Sequence, residues 1–411
     1  MKVGAGRAEI KFPISFFSTE GFTKVLSPLY IRALVLEAGF ALLSLELTSL
    51  PEEEVNHLRD LLSKETGMAK DNCWITVTHT FSTPHFLPQN QLSGQAHQQK
   101  NDIFHNMIEK AAKESIGQAI ANMSEASLSF GKTECRINVN RDIESSEGWW
   151  VGNSGEGPSD KTLSVLSAVG LKGEPIAVLM HYPVQSSIMD GSFSKDGGKA
   201  VTSDLAGKAS GILEGRYPNA TVIFLMGAAG DQAPIKKAKT MVLDGDRQMI
   251  QVDEYESGIA FMEELGGQMA QCAEEAMNKA EFLPEAQVKC GFKEFPVPAK
   301  YMNPNLWELK PVRKYEYIPE GSKVTRIEAA AIADLVFLGV KPELNCLTAM
   351  QIVRNSPFKN TLVVTMVNGG AKYMADSASY DRYTYEAMNS FFNKGAAEIL
   401  VQEAEMMLKK L

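Results

Sequence analysis

Short, almost wholly apolar runs recur along the chain, and several stop abruptly at a polar side chain. Trp74-Ile-Thr-Val-Thr precedes His79, Ile176-Ala-Val-Leu-Met precedes His181, Thr221-Val-Ile-Phe-Leu-Met precedes Gly227-Ala-Ala-Gly-Asp231, and Leu335-Val-Phe-Leu-Gly-Val precedes Glu343. Apolar runs of this length read as strands, and the one before His79 alternates with period two. Leu34 to Leu47 reads as a pair of strands. Between the runs lie helical patterns: Pro51 to Thr66, Asp102 to Met123 with Ile103, Met107, Ala111, Ile116 and Ile120 on one stripe, Glu256 to Lys279, and Tyr383 to Leu408. Strands alternating with helices predict an α/β fold. With no repeat, low-complexity tract or linker to cut at, residues 1–411 read as one large domain.

Polar groups at the carboxyl ends of separate strands converge in α/β sheets, where ligands bind. His79, His181, Asp231 and Glu343 are therefore the candidates, and two imidazoles with a carboxylate are plausible zinc ligands. His85, six residues after His79, faces the same choice between ligand and hydrogen-bonded structural residue. Gly227 to Gly230 can bring backbone N–H groups to an oxyanion, or can form a tight turn braced by Asp231. The run lacks the Gly-Lys-Ser/Thr ending of a P-loop. Asn138-Val-Asn140-Arg141-Asp142 sets a guanidinium beside two amides, suited to gripping a carboxylate or a polarised carbonyl, or to a structural ion pair. Glu144 to Lys161, rich in Gly and Ser, predicts a loop; its Trp149 and Trp150 form a lid or sugar platform, or anchor the loop to the core.

Composition narrows the partners. A formal charge of −9 without a basic stripe excludes a general nucleic-acid binder and leaves a small-molecule substrate. Five widely spaced cysteines without a CxxC pair suggest neither a disulfide framework nor a thiolate metal site. The start, Met1-Lys-Val-Gly-Ala-Gly-Arg-Ala-Glu, has no apolar leader region, and no run reaches the roughly 18 apolar residues of a membrane span. A cytoplasmic protein is expected.

Taken in order, several segments resemble the catalytic domain of the neutral/alkaline, non-lysosomal ceramidases. They are Gly4-Ala-Gly-Arg-Ala-Glu-Ile, Leu29-Tyr-Ile-Arg-Ala-Leu-Val-Leu-Glu, Thr78-His79-Thr80, Asn138-Val-Asn-Arg141, His181-Tyr-Pro, Thr202-Ser-Asp204, Gly227-Ala-Ala-Gly-Asp231, Gly339-Val-Lys-Pro-Glu343 and Asn368-(x)4-Tyr373-(x)6-Tyr380-(x)4-Tyr385-Glu386. The resemblance spans nearly the whole chain and implies layered mixed β-sheets flanked by helices. It also implies a zinc-dependent amidase whose single ion is held by His79, His181, Glu343 and Tyr373; the tyrosine is nominated by the resemblance alone. Two departures stand out. Phe81 replaces the family's second motif histidine, and Ala233 replaces the serine assigned to catalysis. The family's C-terminal immunoglobulin-like domain and secretion leader have no counterpart in these segments.

An intact metal set with altered ceramide-specific groups leads to the expectation of a zinc-dependent hydrolase of an amide or ester bond in a small, polar substrate. Asp231 is then the candidate general base and Arg141 the substrate anchor, with Asn140, Gly230, Gln232, Trp149 and Trp150 lining the substrate. Cleavage of a carbohydrate derivative and a non-catalytic, metal-retaining binding protein are the alternatives.

Overall fold

A computed structural model describes residues 1–88, 94–195, 197–284 and 287–411. Four layers stack as helix, sheet, sheet, helix. The larger sheet has nine strands, eight of them in the order Thr221–Met226, Pro175–Tyr182, Thr162–Gly170, Ser124–Glu134, Lys2–Ile10, Leu29–Leu36, Phe40–Leu45 and Cys73–Val77. The smaller sheet runs Lys289–Lys300, Pro319–Ile332, Leu335–Val340 and Asn360–Thr365. Where a strand is buried on both faces, as Thr221–Met226 and Leu335–Val340 are, it reads as an unbroken apolar run. In the strand Leu335–Val340, Leu335 and Phe337 enter the core between the sheets, while Val336, Leu338 and Val340 enter the core beneath the helices Cys346–Asn355 and Ala396–Leu408. The helices Glu52–Thr66, Gly94–Ala121, Asp204–Arg216 and Tyr255–Asn278 cover the outer face of the larger sheet.

The Gly4-Ala-Gly6 motif owes its glycines to this packing. A methyl group on Gly4 would stand 2.0 Å from the Ala119 carbonyl, and one on Gly6 would stand 2.4 Å from that of Ser115, so the Gly94–Ala121 helix rests directly on the strand's backbone. Strands near the two ends of the larger sheet also touch: Ser44 donates to the Phe224 carbonyl at 3.1 Å, although the two strands are far apart in strand order. That contact brings the strand ends at residues 77, 182 and 226 to one side.

Three expectations change. The Glu144–Lys161 loop contains a strand, Trp149–Ser154, which pairs with Asn138–Glu144; its half-exposed, Gly-containing pattern hid it. The helix Gly94–Ala121 begins eight residues before the expected start. The C-terminal helical pattern is interrupted, giving Tyr385–Met388 and Ala396–Leu408, with Gly395 at φ +94° between them. No helix among the described residues is long and apolar enough to cross a membrane.

Candidate active site

The loops that follow two strands run side by side. Past Cys73–Val77 the backbone turns at His79, whose φ of +53° is unusual for a residue with a side chain. Past Pro175–Tyr182 it turns at Pro183, and the two segments then meet in a parallel bridge between Thr80 and Ser186, with the Phe81 N–H donating to the Ser186 carbonyl. Asp204 ties both loops down: it accepts from the Ile188, Met189 and Leu205 N–H groups and from the Ser82 hydroxyl. Asn138 fixes the second turn from below, donating to the Pro183 carbonyl and accepting from the Tyr182 hydroxyl. Thus Thr202-Ser-Asp204 and Asn138 brace the loops that carry His79 and Gln185.

His79, Glu343, Gln185 and Arg141 form one buried chain of contacts. The His79 Nδ1–H donates to the Thr48 carbonyl at 2.5 Å, and Nε2 lies 3.2 Å from Glu343 Oε1. Nε2 has no hydrogen-bond partner although it is buried. Glu343 Oε2 accepts from the Gln185 amide at 2.8 Å, and Gln185 Oε1 accepts from Arg141 Nη1 at 2.8 Å. Arg141 Nε and Nη2 both donate to Glu386 Oε1. Glu343 and Tyr373 face each other in register across a two-residue parallel ladder, and the Arg141 guanidinium lies 5.3 Å from the Tyr373 ring centre. Tyr385 stacks edge-on against Tyr373 and Trp150, so an aromatic wall leads from the cluster toward the surface; Trp149 lies under Arg382.

Electrostatics follow from this crowding. Burial pushes the Glu343 carboxyl up, but His79, Arg141 and the Gln185 amide outweigh it and hold the group below the usual carboxylate range. Burial, then the neighbouring Glu386 and Asp231 charges, pushes Asp142 well above that range; neither of its oxygens has a hydrogen-bond partner, and Arg382 lies 4.0 Å from Oδ2. Burial raises the Tyr373 phenol well above its usual value, against the opposing pull of Arg141.

His181 stands apart. Alternation along its strand puts Tyr182 among the side chains under the helices and turns His181 the other way, where Nε2–H donates to the Val363 carbonyl of the smaller sheet at 2.9 Å. It lines a small cavity of about 120 Å³ with Lys132, Asp160 and Cys346. Burial pushes its pKa down, so it is neutral there. Gln185, four residues on, takes the place beside Glu343 that the resemblance gave to a second histidine. His85 bonds Glu20 at 2.6 Å near the surface and joins no cluster with His79.

The remaining candidates are mostly engaged elsewhere. Asp231 Oδ1 accepts from the Cys346 N–H, at the start of the helix after Glu343–Leu344, and from Gln232; Oδ2 accepts from Asn140. Asn140 and Gln232 also donate to the Pro158 carbonyl, and the Gly227 and Gly230 N–H groups are spent on the Tyr182 and Leu344 carbonyls. These residues brace the turn that carries Glu343, and the glycine amides are not free to bind an oxyanion. Ala233 is buried in a short strand paired with Val139, and Phe81 packs edge-on against His79 with ring centres 4.5 Å apart. Sequence reasoning gave no role to Gln185 or to the buried carboxyls of Glu386 and Asp142, though Glu386 closes the last motif and Asp142 follows Arg141.

The donors at this cluster fit a metal ion in part. Two ligands about 2.0–2.1 Å from one tetrahedral ion stand roughly 3.3 Å apart, close to the 3.2 Å between His79 Nε2 and Glu343 Oε1. An imidazole that donates its other N–H to a carbonyl is also the usual posture of a metal ligand. His79 and Glu343 thus offer two donors at ligand spacing, with Tyr373 in register beside Glu343; where a further imidazole was expected, the residue beside Glu343 is the carboxamide of Gln185.

The layered architecture is a neutral-ceramidase-like fold. The crystal structure of neutral ceramidase from Pseudomonas aeruginosa matches with a TM-score of 0.74 at 18% identity, over 100% of this chain and 75% of that one. A ceramidase complexed with C2 matches with the same score at 17% identity and the same coverage. No protein-family model and no curated protein matches the sequence.

Proposed function

We propose that the chain is a metal-dependent hydrolase that cleaves an amide or ester bond in a small polar substrate, with His79, Glu343 and Tyr373 holding the ion. The observation that carries this reading is the His79 ring: one nitrogen is fixed on Thr48, and the other is buried without a partner and faces a carboxylate oxygen. A bound zinc ion would bring the pKa of a water down to about 7, which supplies a nucleophile without the family's serine. Gln185 holds Glu343 Oε2 and so presents Oε1. Arg141 anchors the substrate's carbonyl or carboxylate oxygen at the Tyr373–Tyr385 wall, with Glu386 and Gln185 fixing its fork. Asp231 is left out of proton transfer, because its oxygens already accept three hydrogen bonds.

Metal analysis of the purified chain, joined to a screen of N-acyl and O-acyl compounds, tests this. The wild type should carry a transition metal at this cluster and release acid from a short-chain substrate; His79→Ala and Glu343→Gln should lose both. Long-chain ceramide should be turned over little or not at all, since Ala233 and Phe81 replace two polar groups. Efficient release of sphingosine would refute that expectation. A second reading, a binding protein that has lost turnover, is favoured by the same two residues and by Gln185. Tight metal binding with no hydrolysis across amides, esters and glycosides would select it.

A further inference from the structure

Among the described residues, the set of His and carboxylate groups that converges most like a metal site is a different one. His57, on the helix Glu52–Thr66, meets His105 and Glu109, one turn apart on the helix Gly94–Ala121, with one ligand atom of each within 4.8 Å of the others. We propose that these three side chains bind a divalent transition-metal ion of the kind that takes nitrogen and oxygen ligands, clamping the two helices together over the larger sheet. This site shares no residue with the cluster at His79 and does not depend on the function proposed there.

The geometry supports it from several directions. His57 Nε2 lies 3.9 Å from Glu109 Oε1, His105 Nε2 lies 3.7 Å from Glu109 Oε2, and the two imidazole centres are 4.9 Å apart. The two imidazole–carboxylate distances exceed the roughly 3.3 Å between ligands of one tetrahedral ion by about half an ångström, within reach of side-chain rotation. His57 Nε2 is buried at the atom and has no hydrogen-bond partner.

Glu54 is the independent observation. Its side chain is only 4% exposed and belongs to the same helix as His57, one turn back. Oε2 accepts from His105 Nδ1–H at 2.8 Å, while Oε1 has no partner. A carboxylate that takes the Nδ1–H of an imidazole fixes the tautomer with the Nε2 lone pair outward, as the second ligand shell of zinc sites does. A buried carboxylate with no Lys or Arg partner also needs positive charge nearby, and an ion on His105 supplies it.

The side chains of His57, His105 and Glu109 are 39%, 34% and 25% exposed, so an ion can enter from solution and keep an open position for water. Lys113 bonds Glu109 Oε1 at 2.5 Å and is the competitor; it is more than half exposed and free to swing away. The chemistry suits zinc, nickel or copper rather than calcium or magnesium, because two of three donors are imidazoles.

The test is titration of the chelator-stripped full chain with zinc by calorimetry. The wild type should bind about two equivalents; His57→Ala and Glu109→Gln should each lose one or weaken it at least tenfold. His57→Ala removes no bond that the fold depends on, and Glu109→Gln keeps the shape, so matching circular dichroism will establish that both variants are folded. His79→Ala should lose the other equivalent only. If the function proposed above fails and this proposal holds, the wild type binds a single equivalent that His57→Ala removes. If His57→Ala and Glu109→Gln both bind zinc with unchanged stoichiometry and affinity, the site at the helix pair does not exist.

Discussion

A carboxamide at position 185 changes what Glu343 is asked to do. Gln185 is neutral, its oxygen is taken by Arg141, and its amide holds one oxygen of Glu343, so it orients a ligand rather than acting as one. Gln185→His should restore an imidazole at the cluster and tighten zinc binding at least tenfold, read by competition with a chromophoric chelator. An unchanged affinity would mean that the ion is not beside Glu343. Asp231 gives a separate, pH-dependent test. Burial pushes its carboxyl up to about 6 from a usual 3.8, with the Glu386 and Asp376 charges adding to the rise and the Cys346 and Gln232 hydrogen bonds opposing it. The folded form therefore holds this proton more tightly than the unfolded chain. The resulting penalty is present in full above pH 6, shrinks as pH falls toward 4, and is absent below. Asp231→Asn removes the titration, so lowering the pH from 7 to 4 should favour wild type over variant by up to about 3 kcal/mol in urea unfolding. A difference that stays flat with pH would assign the titration to another group.

The elements show which parts of this were readable from sequence. His79 and Glu343 were legible because a strand buried on both faces ends where polarity returns. His181 met the same rule and misled, because when both faces of a strand are apolar, alternation does not say which side a terminal residue takes. Gln185 lies past a proline turn, and a lone glutamine carries no signal; only the bridge between Thr80 and Ser186 puts it beside His79. Asn368, five residues before Tyr373 in the motif, proves to be a clasp between layers. Its Oδ1 accepts from the Ile75 N–H, and its amide donates to the Cys73 carbonyl and to Glu328, so it completes the edge strand Cys73–Val77 from the smaller sheet's side. Asn368→Ala should cost about 1–3 kcal/mol in denaturant unfolding, since buried donors and acceptors are left without partners. A loss below about 0.5 kcal/mol would mean that water replaces the clasp. Gly6→Ala should cost a similar amount through overpacking against the Ser115 carbonyl.

At the scale of the molecule, the proposed ion would join parts of the chain that fold into different layers. His79 extends from the larger sheet, while Glu343 and Tyr373 lie on a ladder fed by the smaller sheet, and Asn368 and the His181–Val363 bond already cross the same gap. The unfolded chain cannot gather such donors, so zinc should bind the native state alone and stabilise it by mass action. At free zinc about 100-fold above the dissociation constant, this is worth about 2.7 kcal/mol. Domains of 150–250 residues shift about 2–4 °C per kcal/mol; a longer chain shifts less, so a rise of roughly 3–6 °C is expected. The measurement belongs in the His57→Ala background, where the helix pair cannot contribute. There, chelation should lower the melting temperature by that amount and added zinc should restore it, whereas a chain that also carries His79→Ala should melt at one temperature with or without zinc. A melt in His57→Ala that ignores the chelator would mean that the 3.2 Å approach of His79 Nε2 to Glu343 Oε1 is a structural contact between the layers and holds no ion.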